Sequence, residues 1–134
     1  MEKDYKISLL LDFYGELLSQ KQRLAIEGYY NEDCSLAEIA QEMDITRQAV
    51  RDIIKRTEQT LLQMEEKLGL YSRFEDMQKG LEKIKSLSES IIDLTDNDDI
   101  KAAAAEITDC ADVLLEKQEW KDDFLGIWRI VWKA

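Results

Sequence analysis

The sequence predicts an all-α protein: a helix-turn-helix bundle with a long fourth helix and a C-terminal helical extension. Apolar residues recur every three or four positions along most of the chain, and no segment shows a sustained alternation of apolar and polar residues. Two capping-box patterns, which begin at Ser19 and Ser35, stand before apolar helical stretches. Hydrophobic residues make up 45% of the 134 positions, which is enough for a packed core.

The composition narrows the possible functions. The chain has 29 acidic and 18 basic residues, a formal net charge of −11, and it contains no histidine. Without histidine it cannot form a Ser-His-Asp or Cys-His nucleophile, or the usual zinc sites. We therefore expect no catalytic residues, no metal ligands and no cofactor, and we expect a binding protein rather than an enzyme. The acidity also excludes a generic basic nucleic-acid coat, so any nucleic-acid contact must come from a local patch.

The N-terminal segment does not predict export. Asp12 and Glu16 interrupt its apolar stretch, and no later stretch has membrane-spanning length. Cys34 and Cys110 are isolated in sequence, which favours free thiols over a disulfide. These features predict a cytoplasmic protein that does not associate with a membrane. We expect Cys110 to be a buried packing residue.

Residues 1–70 are predicted to form the helix-turn-helix domain. A first helix is followed by a second that starts after Ser19, and a short third helix runs from Ser35 to about Met43. The predicted buried face of the first helix comprises Ile7, Leu10, Leu11, Tyr14, Leu17 and Leu18. That of the second comprises Leu24, Ile26 and Tyr29 or Tyr30.

A long fourth helix is predicted from Thr46 to Leu68, because the helical pattern is unbroken there and Gly69 is a natural stop. Its apolar positions follow one another at alternating intervals of four and three residues, as in a heptad repeat. This stripe is either an ordinary core face or a surface that pairs with another long helix. Its members are Val50, Ile54, Thr57, Leu61, Met64, Leu68 and Tyr71.

Residues 71–134 are predicted to form a helical extension that serves packing or dimerisation. A fifth helix carries apolar residues from Met77 to Leu94, and a sixth, alanine-rich helix follows the polar segment 96–99. The predicted apolar side of the sixth helix comprises Ile100, Ala103, Ala104, Ile107, Ala111, Leu114 and Leu115.

The C-terminal tail concentrates all three tryptophans in one aromatic stripe. A helix docked on its own core or on a second subunit explains the stripe most simply. A partner-binding helix and a membrane-surface helix are the alternatives, and the acidic residues beside the stripe disfavour the membrane. The stripe is Trp120, Phe124, Trp128 and Trp132.

Residues 36–55 fit the helix-turn-helix pattern, in which the second helix can enter the DNA major groove. Ala40 supplies the small residue at the helix crossing, and Asp44 is an acceptable residue for a left-handed turn. A trihelical core that binds no nucleic acid is the alternative. The positions predicted to face the core are Ile39, Met43, Ile45, Val50 and Ile53.

The polar residues of this motif are candidates for nucleic-acid contact. Arginine can form two hydrogen bonds with guanine, and glutamine can do so with adenine. We assign base contacts to Arg47, Gln48 and Arg51. We assign phosphate contacts to the remaining candidates, although Lys55 and Arg56 could equally be solvated residues that pair with nearby acids. These phosphate candidates are Ser35, Thr46, Lys55 and Arg56.

The charge of the motif limits its affinity. The stretch from Ser35 to Arg56 holds four basic and four acidic side chains. Because nonspecific affinity scales with the number of phosphates neutralised, one copy should bind duplex weakly and with strong salt dependence. We therefore expect a homodimer, or a partner that tethers the protein to its target.

Four segments between residues 12 and 72 resemble the YlxM family, small bacterial proteins associated with the signal recognition particle. They are DFYGELLSQKQ (12–22), GYYNEDCSLAEIA (28–40), TRQAVRDIIKRTE (46–58) and EEKLGLYS (65–72). The resemblance implies an all-helical fold similar to the promoter-reading domain of sigma factors. It also implies a role as a DNA-binding transcription regulator, or as an accessory factor that binds the RNA or the GTPase of the signal recognition particle.

Overall fold

The computed structural model describes residues 1–116 as six α-helices without a strand in that range. The helices are α1 (Tyr5–Tyr14), α2 (Gln20–Tyr30), α3 (Leu36–Met43), α4 (Arg47–Leu68), α5 (Leu70–Leu94) and α6 (Asp98–Glu116). A short 3₁₀ turn, Gly15–Leu17, follows α1. The chain separates into two compact units: Met1–Ser72 is the first, and the second begins at Arg73, within α5.

Side-chain caps set the start of the helices, as the sequence predicted. Ser19 and Ser35 each accept a hydrogen bond from the backbone N–H three residues later, and Gln22 and Glu38 complete two capping boxes. Thr46 caps α4 by accepting from the N–H of Ala49 at 3.0 Å. These local bonds satisfy backbone donors that have no partner within the helix.

The core of the first unit forms where α1, α2 and α3 pack on α4. Ile7, Leu10 and Tyr14 of α1 meet Val50, Ile54 and Leu61 of α4 in one buried cluster. Burying such side chains contributes about 1.5–3 kcal/mol each before the entropy of ordering is subtracted. Three short helices thereby hold the N-terminal two-thirds of α4 in place.

Two sequence predictions about this core are wrong. α1 ends at Tyr14, so Leu17 falls in the 3₁₀ turn and is exposed, whereas Leu18 is buried from an extended segment. Leu24 is also exposed, because α2 buries the face that carries Ala25, Ile26, Tyr29 and Tyr30. The prediction placed the buried face of α2 one position too early, on Leu24 instead of Ala25. Neighbouring positions on a helix point in directions about 100° apart, so this error is enough to expose Leu24.

The apolar stripe of α4 serves the core of its own unit. Val50, Ile54, Thr57 and Leu61 are all buried there, which leaves them unavailable for pairing with a second long helix. Met64 and Tyr71 pack at the edge of the same core, and Leu68 is exposed. The interpretation of this stripe as an ordinary core face is therefore correct at the buried positions.

The described part of the second unit consists of α5 beyond Ser72 and α6. Its buried residues are small: Ser88, Ala104 and Ala111. The hydroxyls of Ser88 and Thr108 lie 2.7 Å apart, and Lys85 pairs with Asp112 at 2.6 Å. Of the predicted apolar side of α6, Ile100, Ile107 and Leu114 are exposed.

The predicted aromatic stripe at Trp120, Phe124, Trp128 and Trp132 lies outside the described residues. Both cysteines are free thiols, as predicted. Cys110 is exposed, so the prediction that it is a buried packing residue is wrong. Within residues 1–116 no helix combines the length and the apolar character that a membrane span requires.

Candidate nucleic-acid interface

The turn between α3 and α4 has the geometry of a helix-turn-helix. Asp44 adopts the left-handed conformation, with φ 54° and ψ 48°, and its N–H donates to the carbonyls of Ala40 and Gln41. The next N–H, that of Ile45, donates to the Ala40 carbonyl at 3.0 Å. These bonds end α3 within one turn and redirect the chain into Thr46, which caps α4.

The helix crossing beneath this turn depends on small and branched residues. Ile39, Ala40 and Val50 are buried, as the motif requires, and Met43, Ile45 and Ile53 are partly buried at the edge of the core. The sequence analysis missed a further close approach. A Cβ placed on the buried Gly28 of α2 would lie 3.3 Å from Cγ1 of Ile39, so this glycine lets α2 and α3 pack closely.

The opposite side of the motif is polar and faces solvent. Its exposed residues include two arginines one turn apart on α4, Arg47 and Arg51. Among residues 1–116, neither guanidinium forms an ion pair, and the same is true of Arg56, so all three remain available for another anion. The exposed candidate residues are Ser35, Thr46, Arg47, Gln48, Arg51, Lys55 and Arg56.

Two candidate residues already have partners on α4. The side-chain amide of Gln48 donates to Asp52 Oδ1 at 3.1 Å. Lys55 Nζ lies 3.7 Å from a carboxylate oxygen of Glu58, which is a loose contact. The Gln48 hydrogen bond lies at the exposed surface, so Gln48 can exchange its partner at small cost. Glu58 is only 12% exposed, but Lys55 is 51% exposed and its contact is long, so Lys55 can also turn to another anion.

Ser35 and Thr46 have a structural role in the described state. Each hydroxyl accepts a backbone N–H at a helix N-terminus. A hydroxyl that accepts one bond can still donate its own hydrogen, so a phosphate oxygen could bind at either position. The backbone N–H of Ser35 points at Glu38 Oε1 at 3.5 Å, and this carboxylate would repel a phosphate. Thr46 is therefore the stronger phosphate candidate.

Glu58 of α4 is engaged in the fold. Tyr30 donates its phenolic hydrogen to Glu58 Oε1 at 2.7 Å, and burial together with this carboxylate raises the pKa of Tyr30.

The Cys34 thiol lies just before the motif. Burial raises its pKa, and the neighbouring Glu38 and Glu32 raise it further. This thiol beside the motif is therefore protonated at neutral pH, which gives it little nucleophilic reactivity.

The comparisons with known proteins point to a single family. Residues 1–107 match the model of the family UPF0122, described as "putative helix-turn-helix protein, YlxM / p13 like". A UPF0122 protein of Desulforamulus reducens is 52% identical over 87 residues, which cover 65% of this chain and 74% of the relative. One from Oceanobacillus iheyensis is 52% identical over 88 residues, which cover 66% of this chain and 84% of the relative.

A UPF0122 protein of Bacillus cereus is 49% identical over 87 residues, or 65% of this chain and 79% of the relative. The family match begins at residue 1, ahead of α1, and ends at residue 107, within α6, so it includes the whole helix-turn-helix. Its description names a helix-turn-helix and no enzymatic activity. The chain therefore belongs to the UPF0122 family of YlxM/p13-like helix-turn-helix proteins.

Proposed function

We propose that this protein is a transcription regulator that binds duplex DNA with the N-terminal part of α4 in the major groove. One observation carries the proposal: Arg47 and Arg51 project from the first two turns of α4 into solvent without ion pairs in residues 1–116. Leaving cations unpaired on a protein with a net charge of −11 favours an anionic ligand at that face. Binding to chromosomal DNA requires a cytoplasmic location.

Within this proposal the residues have distinct roles. Arg47 and Arg51 contact base edges, where each bidentate contact distinguishes the correct base by about 1–3 kcal/mol. Gln48 contacts a base after it exchanges Asp52 for the DNA. Four residues contact phosphates and position the helix without reading sequence. They are Ser35, Thr46, Lys55 and Arg56.

We further propose that the regulator binds as a homodimer. A single motif presents four cations on α4, and a helix-turn-helix dimer reads two half-sites about one helical turn apart. Two copies double the number of neutralised phosphates and make the second contact intramolecular. Because the buried stripe of α4 is occupied by its own core, the dimer must use another surface. A sedimentation profile that stays monomeric with and without the DNA ligand would contradict it.

The test begins with selection of a binding site from a random duplex DNA library by the full chain. Affinity for the selected site is then compared for wild type, for Arg47→Ala/Arg51→Ala and for Lys67→Ala. Lys67 is the control, because it is an exposed cation in the last turn of the same helix. We expect the double variant to lose sequence preference with unchanged helical content, and Lys67→Ala to bind as wild type does. Equal affinity of the double variant for the selected site would refute the proposal.

A second candidate function is favoured by the acidic remainder of the molecule. Residues 73–116 carry five basic and twelve acidic side chains, a balance that suits a basic protein partner. In this alternative the protein is an accessory factor of the signal recognition particle, and it binds the GTPase or the RNA without reading DNA sequence. RNA contact would then depend on the shape and backbone of the RNA rather than on base readout in a groove.

Affinity purification of the tagged protein, followed by sequencing of bound nucleic acid and identification of bound protein, separates the two functions. If neither the RNA nor the GTPase of the signal recognition particle were recovered, the result would contradict the accessory-factor function.

A further inference from the structure

A carboxylate lies at the centre of the exposed face of α4. Asp52 is exposed, and it stands two positions from each of the buried residues Val50 and Ile54. Since successive residues of a helix point about 100° apart, Asp52 points away from both of them, toward solvent. Gln48 lies one turn earlier on the same row of the helix. The face that we assign to the major groove therefore has an acid in the middle of its cations.

The fold makes little use of this carboxylate. Three cations stand within four positions of Asp52 on the helix: Arg51, Lys55 and Arg56. In the described part of the chain none of them forms an ion pair with it. Its Oδ1 accepts a hydrogen bond from the side-chain amide of Gln48 at 3.1 Å, at the exposed surface. A bond of this kind contributes little to stability, so stability does not account for an acid at this position.

Duplex DNA offers a carboxylate few favourable partners. The phosphates repel it, and in the major groove guanine presents the acceptors O6 and N7 while thymine presents the acceptor O4. The hydrogen-bond donors in this groove are the amino groups of cytosine and adenine. Cytosine presents its N4 amino group without an acceptor on the same base, whereas adenine presents its amino group beside the acceptor N7. A carboxylate that enters the groove should therefore select cytosine.

We propose that Asp52 is a specificity-determining residue, whose carboxylate accepts a hydrogen bond from the N4 amino group of a cytosine in the major groove. The inference rests on the proposed function and names one base of the DNA target. When Gln48 turns to a base, Asp52 loses the donor that it has in the described state. A charge without a partner is costly once water is excluded, so the cytosine amino group takes the place of the Gln48 amide. Thymine at the same position would present O4 to the carboxylate and would be rejected.

The experiment uses the full chain and duplex DNA that carries the site selected from the random library. Each cytosine of this site is replaced in turn by 5-methylcytosine, paired with guanine, and by thymine, paired with adenine. Both replacements carry a methyl group at C5, so the two duplexes differ in the amino and carbonyl groups of one base pair and not in the methyl group. At one cytosine we expect wild type to bind the 5-methylcytosine duplex about tenfold more tightly than the thymine duplex.

Asp52→Asn is the test variant, because it keeps the size of the side chain, removes the charge and adds a donor that can meet O4 of thymine. We expect it to bind the two duplexes with affinities within about twofold of each other. Glu66→Gln is the matched control. It removes one negative charge from an exposed residue of the same helix, about 21 Å further along the axis. This control should keep the preference of wild type.

A comparison in the Gln48→Ala background separates direct contact from positioning. If Asp52 contacts the base itself, Asp52→Asn should abolish the preference for 5-methylcytosine over thymine in this background too. If Asp52 only orients Gln48, the substitution has no further effect once the Gln48 side chain is absent. The second result would overturn the proposal.

The proposed function and this inference fail in different ways. If no site is selected, or if affinity for the selected site does not depend on Arg47 and Arg51, the proposed function fails and the role of Asp52 fails with it. If the site depends on both arginines, but wild type and Asp52→Asn distinguish the two duplexes equally at every cytosine, the role of Asp52 alone is refuted.

Discussion

Tyr14 of α1 donates its phenolic hydrogen to Glu65 Oε1 near the end of α4, at 2.9 Å. The same phenolic oxygen accepts the N–H of Leu70 at 3.1 Å, and Glu65 Oε1 accepts the N–H of Tyr71 at 3.0 Å. Two side chains thus bind the first backbone donors of α5, just after Gly69 ends α4 in the left-handed conformation. Glu65 Oε2 is buried without a partner in the described part of the chain, so this carboxylate depends strongly on Tyr14 and Tyr71.

Tyr14→Phe should destabilise the protein by about 1–3 kcal/mol, because it leaves the partly buried Glu65 with one donor fewer and the Leu70 N–H without its acceptor. Urea unfolding followed by circular dichroism measures the change. The control is Tyr5→Phe, since Tyr5 is 77% exposed. Equal midpoints for Tyr14→Phe and wild type would show that these hydrogen bonds contribute nothing.

Alkaline pH should destabilise the fold through the same tyrosine. Burial raises the pKa of Tyr14 to about 12, and its hydrogen bond to Glu65 adds to the effect, while burial also raises the pKa of Tyr30. The phenol of a tyrosine in the unfolded chain ionises near pH 10. The stabilisation that neutral Tyr14 and Tyr30 provide is therefore fully present below about pH 10, and it is lost as the pH rises through the pKa values of these tyrosines in the folded state.

Unfolding free energies measured at about pH 8 and about pH 11 test this dependence. The loss between the two should be smaller in Tyr14→Phe than in wild type, because the substituted ring has no proton to lose. Tyr5→Phe should lose as much as wild type does. An identical loss in Tyr14→Phe would contradict a raised pKa at this position.

The turn of the helix-turn-helix should tolerate glycine and reject β-branched residues. Because Asp44 has φ 54°, we expect the free energy of unfolding of Asp44→Gly to lie within about 1 kcal/mol of the wild-type value. That of Asp44→Val should be about 1–2 kcal/mol lower than that of Asp44→Gly. Glu42→Val is the control, since Glu42 is exposed on α3 with ordinary helical geometry. Thermal unfolding of the three variants gives the ranking, and similar losses for both valine variants would show that the left-handed turn is unstrained.

Salt should weaken DNA binding with a slope set by the cations on α4. For one copy in which Lys55 and Arg56 are the cations on phosphates, log affinity should fall against log salt with a slope of about −2, and about twice that for a dimer. Arg56→Ala should reduce the magnitude of the slope by about 1 per copy and weaken all sequences alike. Lys67→Ala should leave the slope as it is. A slope near zero would indicate a ligand other than a polyanion.

Local sequence signals predicted the helix boundaries in the first unit. The caps at Ser19, Ser35 and Thr46, the stop at Gly69 and the left-handed turn at Asp44 depend on bonds within a few residues, so they can be recognised without tertiary structure. The main boundary errors came where no such signal exists. α1 ends at Tyr14, whose hydroxyl bonds to Glu65 and to the Leu70 N–H more than 50 residues along the chain, whereas the predicted first helix ran on to Leu18.

The sequence alone determined the all-α class, the order of the helices and the solvent-facing cations of the helix-turn-helix, because helical period and capping are local properties. Tertiary structure decided which apolar faces are buried. The same periodic pattern occurs on α4 and α6, yet Ile54 is buried by three neighbouring helices and Ile107 is exposed beside a groove. An apolar stripe in the sequence indicates that a helix packs against another surface, but it does not identify that surface. Only the folded chain shows which surfaces are in contact.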